Sequence, residues 1–177
     1  MKKLLLLLLI SIAYMSPAYA DSIKGAFGYK LGQVVKGIKI EEDWDGFKKR
    51  YDTFKPAKPI PGFNSYFVHT TLKTNKVFEI SAHNRMKIEI DKYYSCAGVK
   101  DFSNLLDALE NKYGSFGPSW DNGGWTTYTK NKGDRRILLK CVFWTGSNEV
   151  SIYLEYFDNK LYKLLKEENN QYSDFDL

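Results

Sequence analysis

WTTYTKNKGDRRILLKCVFWTGSNEVSIYLEYF, residues 125–157, decides the fold class. It holds three runs rich in β-branched and aromatic residues, Trp125 to Lys130, Arg135 to Trp144 and Glu149 to Phe157. Such side chains pack well on a pleated surface. The connections Asn131-Lys132-Gly133-Asp134 and Thr145-Gly146-Ser147-Asn148 are short and made of turn formers. The stretch therefore predicts an antiparallel meander of three strands.

Immediately upstream, Gly114 to Gly124 contains Gly117-Pro118 and Asp121-Asn122-Gly123-Gly124 and predicts a loop. Before it, Phe102, Leu105, Leu106, Leu109 and Tyr113 share one helical face, with Asp101 placed to cap the start and Gly114 to end the helix in a left-handed conformation. Further back, Tyr66 to Leu72 and Lys76 to Ala82 read as a hairpin around Lys73-Thr74-Asn75, and Met86, Ile88 and Ile90 alternate with Lys87, Glu89 and Asp91 as a third strand. Trp44, Phe47, Tyr51 and Phe54, at spacings of three, four and three, predict a short helix capped by Asp43, with Gly46 against it. Pro56, Pro59 and Pro61 force an extended connection after it. Residues 21–35 suit an extended entry segment, and Tyr162 to Glu168 predicts a short terminal helix.

Strands, helix, strands, helix with short connections describe an α+β domain: an antiparallel sheet of about six strands packed by one or two helices. Residues 21–177 have the length of a single domain with a substantial core.

Residues 1–20 read differently. Met1-Lys2-Lys3 is basic, Leu4 to Ile12 is apolar, and Pro17 precedes Ala18-Tyr19-Ala20, the layout of a secretory signal peptide cut after Ala20. The apolar run is well short of the ~20 residues that span a bilayer. The expectation is a mature protein with no membrane span, periplasmic or secreted. Loss of Lys2 and Lys3 lowers the formal net charge of +5 by two, and the remaining charges are interspersed, as in Glu41-Glu42-Asp43 and Lys48-Lys49-Arg50. No basic stripe marks a phosphate backbone, so nucleic acid is not an expected partner. In an oxidising compartment the two cysteines, Cys96 and Cys141, are expected to form a disulfide.

Signals for catalysis are sparse. His69 and His83 are the two histidines, and pairing Lys73 with Lys76 sets His69 opposite Ile80 and His83 opposite Tyr66, about 10 Å out of step at the usual strand rise. No metal site and no cofactor are expected, since no His, Cys or carboxylate cluster has ligand spacing. Gly-x-Ser-x-Gly is absent and no catalytic residue is assigned. Glu79, Glu89 and Asp91 alternate along strands; they are the wet face of a sheet or, alternatively, carboxylates for a cell-wall or glycan hydrolase.

The candidate binding residues are Trp120, Asp121, Asn122 and Trp125, where two tryptophans bracket a flexible acidic turn. Tryptophans on loops anchor protein interfaces or stack on sugars. The structural alternative sends Trp125 inward at the start of a strand and lets Trp120 plug the helix edge.

Phe27-Gly28-Tyr29-Lys30-Leu31-Gly32-Gln33, Lys112-Tyr113-Gly114, the leader and the cysteine pair together resemble small, uncharacterised exported proteins of Gram-negative bacteria. The resemblance implies a compartment and no activity. The reading that follows is a non-catalytic binding module for a protein or envelope component, of which an inhibitor or immunity protein is a more specific version; the alternatives are the hydrolase and a structural part of an envelope assembly.

Overall fold

The computed structural model describes residues 22–42, 47–88, 96–121, 124–144 and 146–173. The expected leader and its expected cleavage site lie outside them. So do Asp43, Trp44, Gly46, Glu89, Asp91 and Asn122.

The meander forms as expected. β8 (Trp125–Lys132), β9 (Arg135–Trp144) and β10 (Glu149–Asp158) run antiparallel, with Lys132 paired to Arg135 and Glu149 to Trp144. The two-residue connection Gly133-Asp134 places glycine at φ 60°, the left-handed first position that a tight hairpin matching strand twist demands.

The hairpin also forms, as β5 (Ser65–Thr70) and β6 (Val77–Lys87). Its register differs from expectation by one residue. His69 pairs with Glu79 and Ser65 with His83, because an irregularity between His69 and Thr70 takes up an extra residue at Phe78. Met86 belongs to the same long strand as Val77, so the expected third strand is the continuation of β6 rather than a separate element.

Two expectations are overturned. Residues 48–53 form a strand, β4 (Lys48–Thr53), and not a helix; it pairs with β3 (Lys39–Glu42) on one side and β5 on the other. Tyr51 and Phe54 then diverge: Tyr51 stacks on His69 and Phe67, whereas Phe54 packs on Tyr29 and Tyr66. The apparent helical spacing was an accident of aromatic content, and sheet pairing overrode it. The expected loop of residues 114–124 is in part an edge strand, β7 (Gly117–Asp121), paired to β8. Pro118 is tolerated there because an edge has no second neighbour needing its N–H.

Together these strands make one eight-stranded antiparallel sheet in the order β3-β4-β5-β6-β10-β9-β8-β7, beside a small hairpin of β1 (Gly25–Ala26) and β2 (Tyr29–Lys30). Alternation separates the two faces. On the first face lie Val68, Ile80, Ile137, Leu139, Cys141, Ile152 and Leu154, all essentially inaccessible, packed with Phe102, Leu109 and Tyr113 of α1 (Lys100–Tyr113). Val99, not Asp101, occupies the N-cap of α1, without a side-chain cap, and Asp101 sits in the first turn, where its charge suits the helix dipole. Gly114 ends the helix as expected, with a positive φ of 79° but a ψ of 172° that departs from the expected left-handed helical conformation, and it donates its N–H to the Glu110 carbonyl. Cys96, in a 3₁₀ turn (Cys96–Gly98) ahead of α1, is bonded to Cys141 in β9, their Cα atoms 5.9 Å apart.

α2 (Asn159–Ser173), longer than the expected Tyr162 to Glu168, packs at one end of the second face through Leu161, Tyr162 and Leu165 onto Phe78 and Phe157. Its Glu168, 3% exposed, accepts hydrogen bonds from the backbone N–H of Leu72 at 2.7 Å and of Lys73 at 3.3 Å. Replacing Glu168 by alanine leaves two amides of the β5–β6 turn without their acceptor, with an expected loss of about 2 kcal/mol. Urea midpoints check this, and Glu168→Gln, which retains an acceptor oxygen, should lose less.

Candidate functional site

α2 covers one end of the second sheet face, and the rest carries the chemistry. Cross-strand pairing arranges it in rows. One row runs Ser65, His83, Tyr153, Lys140, Thr127 across β5, β6, β10, β9 and β8. His83 and Tyr153 stack with ring centroids 4.4 Å apart and planes 5° from parallel. The Lys140 ammonium lies 5.2 Å from the centre of the Tyr153 ring and 4.2 Å from that of Trp125. A cation over indole and phenol faces is held by their quadrupoles, which fixes both rings.

Trp125 is paired with Val142, and Trp144 lies two residues further along β9, so the two indoles are diagonal neighbours on this face. They are 38% and 46% exposed, and with Val142, Lys140 and Tyr153 they line a depression of ≈ 390 Å³. The Trp144 indole N–H donates to Ser151 Oγ at 3.1 Å, which orients the ring while leaving much of it in solvent.

The neighbouring rows hold carboxylates. His69 Nδ1 lies 3.0 Å from Glu79 Oε2, an ion-pair distance, although the ring N–H is not aimed along a hydrogen-bond line. Burial works against ionising Glu79, but the contact with His69 and the charges of Lys49 and Arg136 outweigh it and hold the carboxyl below the usual range. Glu155 is the diagonal neighbour of Glu79, since Ser81 pairs with Glu155 and Glu79 with Phe157. Burial, then repulsion from Glu79, pushes the Glu155 carboxyl up to about 7, against the pull of Lys140, Arg136 and His69. His83 is held below its ordinary range by burial and by Arg85. Near neutrality this floor thus carries one ionised carboxylate beside a neighbour whose hold on its proton is strengthened. A shallow depression of ≈ 230 Å³ lies over it, walled by Tyr51, Phe67, His83 and Tyr153.

Of the four candidate binding residues, Trp125 is the one placed in this site, and of the groups weighed for chemistry Glu79, His69 and His83 are there as well. Trp125 begins a strand, as its structural alternative held, but it faces solvent on the second face and not the core. Trp120 and Asp121 are paired in β7 with Thr127 and Thr126, not in a loop. Glu79 lies on the floor. His69 and His83 sit four residues apart along adjacent strands rather than three, His83 having Ser65 as its partner. Among the described residues no group of three or more His, Cys, Asp or Glu is gathered as a metal site would need. The sequence reading missed Tyr153, Glu155, Lys140 and Trp144. The first two were legible, because Ser151, Tyr153 and Glu155 alternate with Val150, Ile152 and Leu154 and so had to share the wet face.

No protein-family model matches the chain, and no curated protein does. Among solved structures it is similar to the solution structure of cyanobacterial PsbP (CyanoP) from Synechocystis sp. PCC 6803, at 12% identity and a TM-score of 0.39, over 85% of this chain and 97% of that one. A likeness at that level carries no argument about activity. Among the described residues no helix is long and apolar enough to cross a membrane.

Proposed function

We propose that the protein is a non-catalytic binding module of the periplasm or extracellular space, delivered by cleavage after Ala20, which recognises a protein or envelope component on the second face of its sheet. The observation that supports this is the pair Trp125 and Trp144, both substantially exposed and oriented by Lys140 and Ser151, on a face that α2 covers at the opposite end. Oriented indoles bury large area on binding with little loss of rotamer freedom, which is the property of interface anchors. An inhibitor or immunity protein of the envelope is one form this module would take. The buried Cys96–Cys141 cross-link suits an oxidising compartment.

The hydrolase reading ranks below it for a geometric reason. Glycoside hydrolysis needs two carboxyl groups flanking the scissile bond. Glu79 and Glu155 rise from adjacent strands of one floor, and Glu79 is engaged with His69 beside it on β5.

Capture from native envelope extract with tagged protein tests the proposal. A single dominant partner is expected, and Trp125→Ala and Trp144→Ala should each weaken its retention at least tenfold while leaving the fold intact by circular dichroism. Undiminished retention by both variants would move the interface off this face.

A further inference from the structure

Where α2 meets the sheet, the second face holds a further open depression of ≈ 440 Å³ between β4, β6, β9, β10 and the helix, adjoining the previous one at Glu79. This volume is in the range of small-molecule sites. Four rings, Phe47, Phe78, Phe157 and Tyr162, form its walls, and Lys49, Arg136, Lys166 and the carboxylate-bearing Glu79 line it with them. That carboxylate is already in contact with His69.

Arg136 is the telling residue. Its guanidinium lies over the Phe157 ring, 4.3 Å from the centroid, and its Nε is buried with no hydrogen-bond partner. Among the described residues it has no carboxylate within ion-pair reach. Arg136 is half-buried, so its terminal N–H donors line the depression while its Nε lacks an acceptor, and a guanidinium held on an aromatic face with no carboxylate at ion-pair distance is suited to meet an anion. The Lys166 ammonium, 4.9 Å from the centre of the Tyr162 ring, sits at the helix side of the same cavity. The contact with Phe157 holds the guanidinium at the cavity wall, and a guanidinium presents paired N–H donors suited to a carboxylate or phosphate.

We propose that this cavity is a binding site for a small organic anion, an aromatic body carrying one phosphate, carboxylate or sulfonate head. The head is met by Arg136 and Lys166, and the body packs among Phe47, Phe78 and Tyr162. The site lies apart from the exposed tryptophans and stands or falls independently of the partner-binding reading.

Phenyl phosphate is a suitable probe, followed by calorimetry and by amide NMR shifts on the full protein. Saturable submillimolar binding is expected, with shifts confined to the start of β6, the end of β10 and the first turns of α2. Arg136→Met should weaken it at least tenfold. Lys166→Ala, an exposed helix position that cannot disturb the core, should weaken it about threefold even if the first variant folds poorly. Phenyltrimethylammonium should not bind, and inorganic phosphate should bind at least tenfold more weakly than the phenyl ester. The assignment is overturned if phenyl phosphate gives no saturable shift, if both variants bind it as wild type does, or if the cation or bare phosphate binds equally well.

Discussion

Replacing Cys96 and Cys141 together by alanine is expected to lower stability by roughly 4 kcal/mol, the chain-entropy value for a cross-link closing a loop of this size. The bond spans 45 residues of sequence. Both cysteines are buried, Cys141 fully, in the middle of β9, and Cys96 in the turn that leads into α1. Without the bond the unfolded chain regains the conformations that bring these points far apart, while the folded α1 keeps its seat through Phe102, Leu109 and Tyr113. For a domain of this length such a change corresponds to a fall in melting temperature on the order of 10 °C. Changing both residues avoids a buried unpaired thiol. Denaturation of the oxidised protein, the reduced protein and the double variant decides the matter: the last two should agree, and coincidence of all three would show that the cross-link adds nothing.

Glu155→Gln should make the protein more stable in a way that depends on pH. In the folded state the Glu155 carboxyl holds its proton up to about 7, through burial and then the charge of Glu79, against an ordinary value of 4.5. Between those values the unfolded chain releases the proton and the folded protein keeps it. The Glu155 contribution to stability is therefore complete below the ordinary value, falls as pH rises through the window, and levels off above the folded value. The full span amounts to roughly 3 kcal/mol at 1.36 kcal/mol per pH unit.

Two neighbours act with the opposite sign. Glu79, held below its usual range, contributes stability that is lost as pH falls through its depressed folded value. His83, also depressed, favours the folded state increasingly as pH rises toward the ordinary imidazole value. The raw profile of the wild type mixes all three, so the informative quantity is the difference between Glu155→Gln and wild type. It should be near its minimum at pH 4.5 and grow by roughly 3 kcal/mol by pH 8. Urea titrations at a series of pH values measure it, and a difference that stays constant across the series would mean that Glu155 titrates normally.

Much of the fold was legible because it rests on local pattern. The three runs of the meander and the Phe102 to Tyr113 stripe each express a preference of consecutive residues, and each forms the expected element, with the Asn131 to Asp134 connection tightened to Gly133-Asp134 as β8 extends to Lys132. The failures also have local causes. Tyr51 and Phe54 lie at a helical spacing, yet one faces His69 and the other Tyr66, because two flanking strands supplied the backbone partners that made β4 extended. The extra residue at Phe78 shifted the hairpin by one, enough to exchange Ile80 for Glu79 opposite His69. A one-residue slip reverses which side chains share a face. Trp120 was read as part of a loop because Gly117-Pro118 is a breaker in isolation, and only pairing with β8 made that segment an edge strand.

By itself the sequence determined the α+β class, the antiparallel meander and the cysteine pairing, since strand propensity, turn chemistry and the presence of two thiols are properties of short segments or of composition. The tertiary structure alone decided that β6 lies beside β10, joining residues as distant as His83 and Tyr153, and that α2 roofs one end of the second face. That neighbourhood creates both the Glu79–Glu155 coupling and the Arg136 cavity. Which strands become neighbours depends on the burial of the whole domain against the entropy of closing long loops, a balance that no single stretch of residues records.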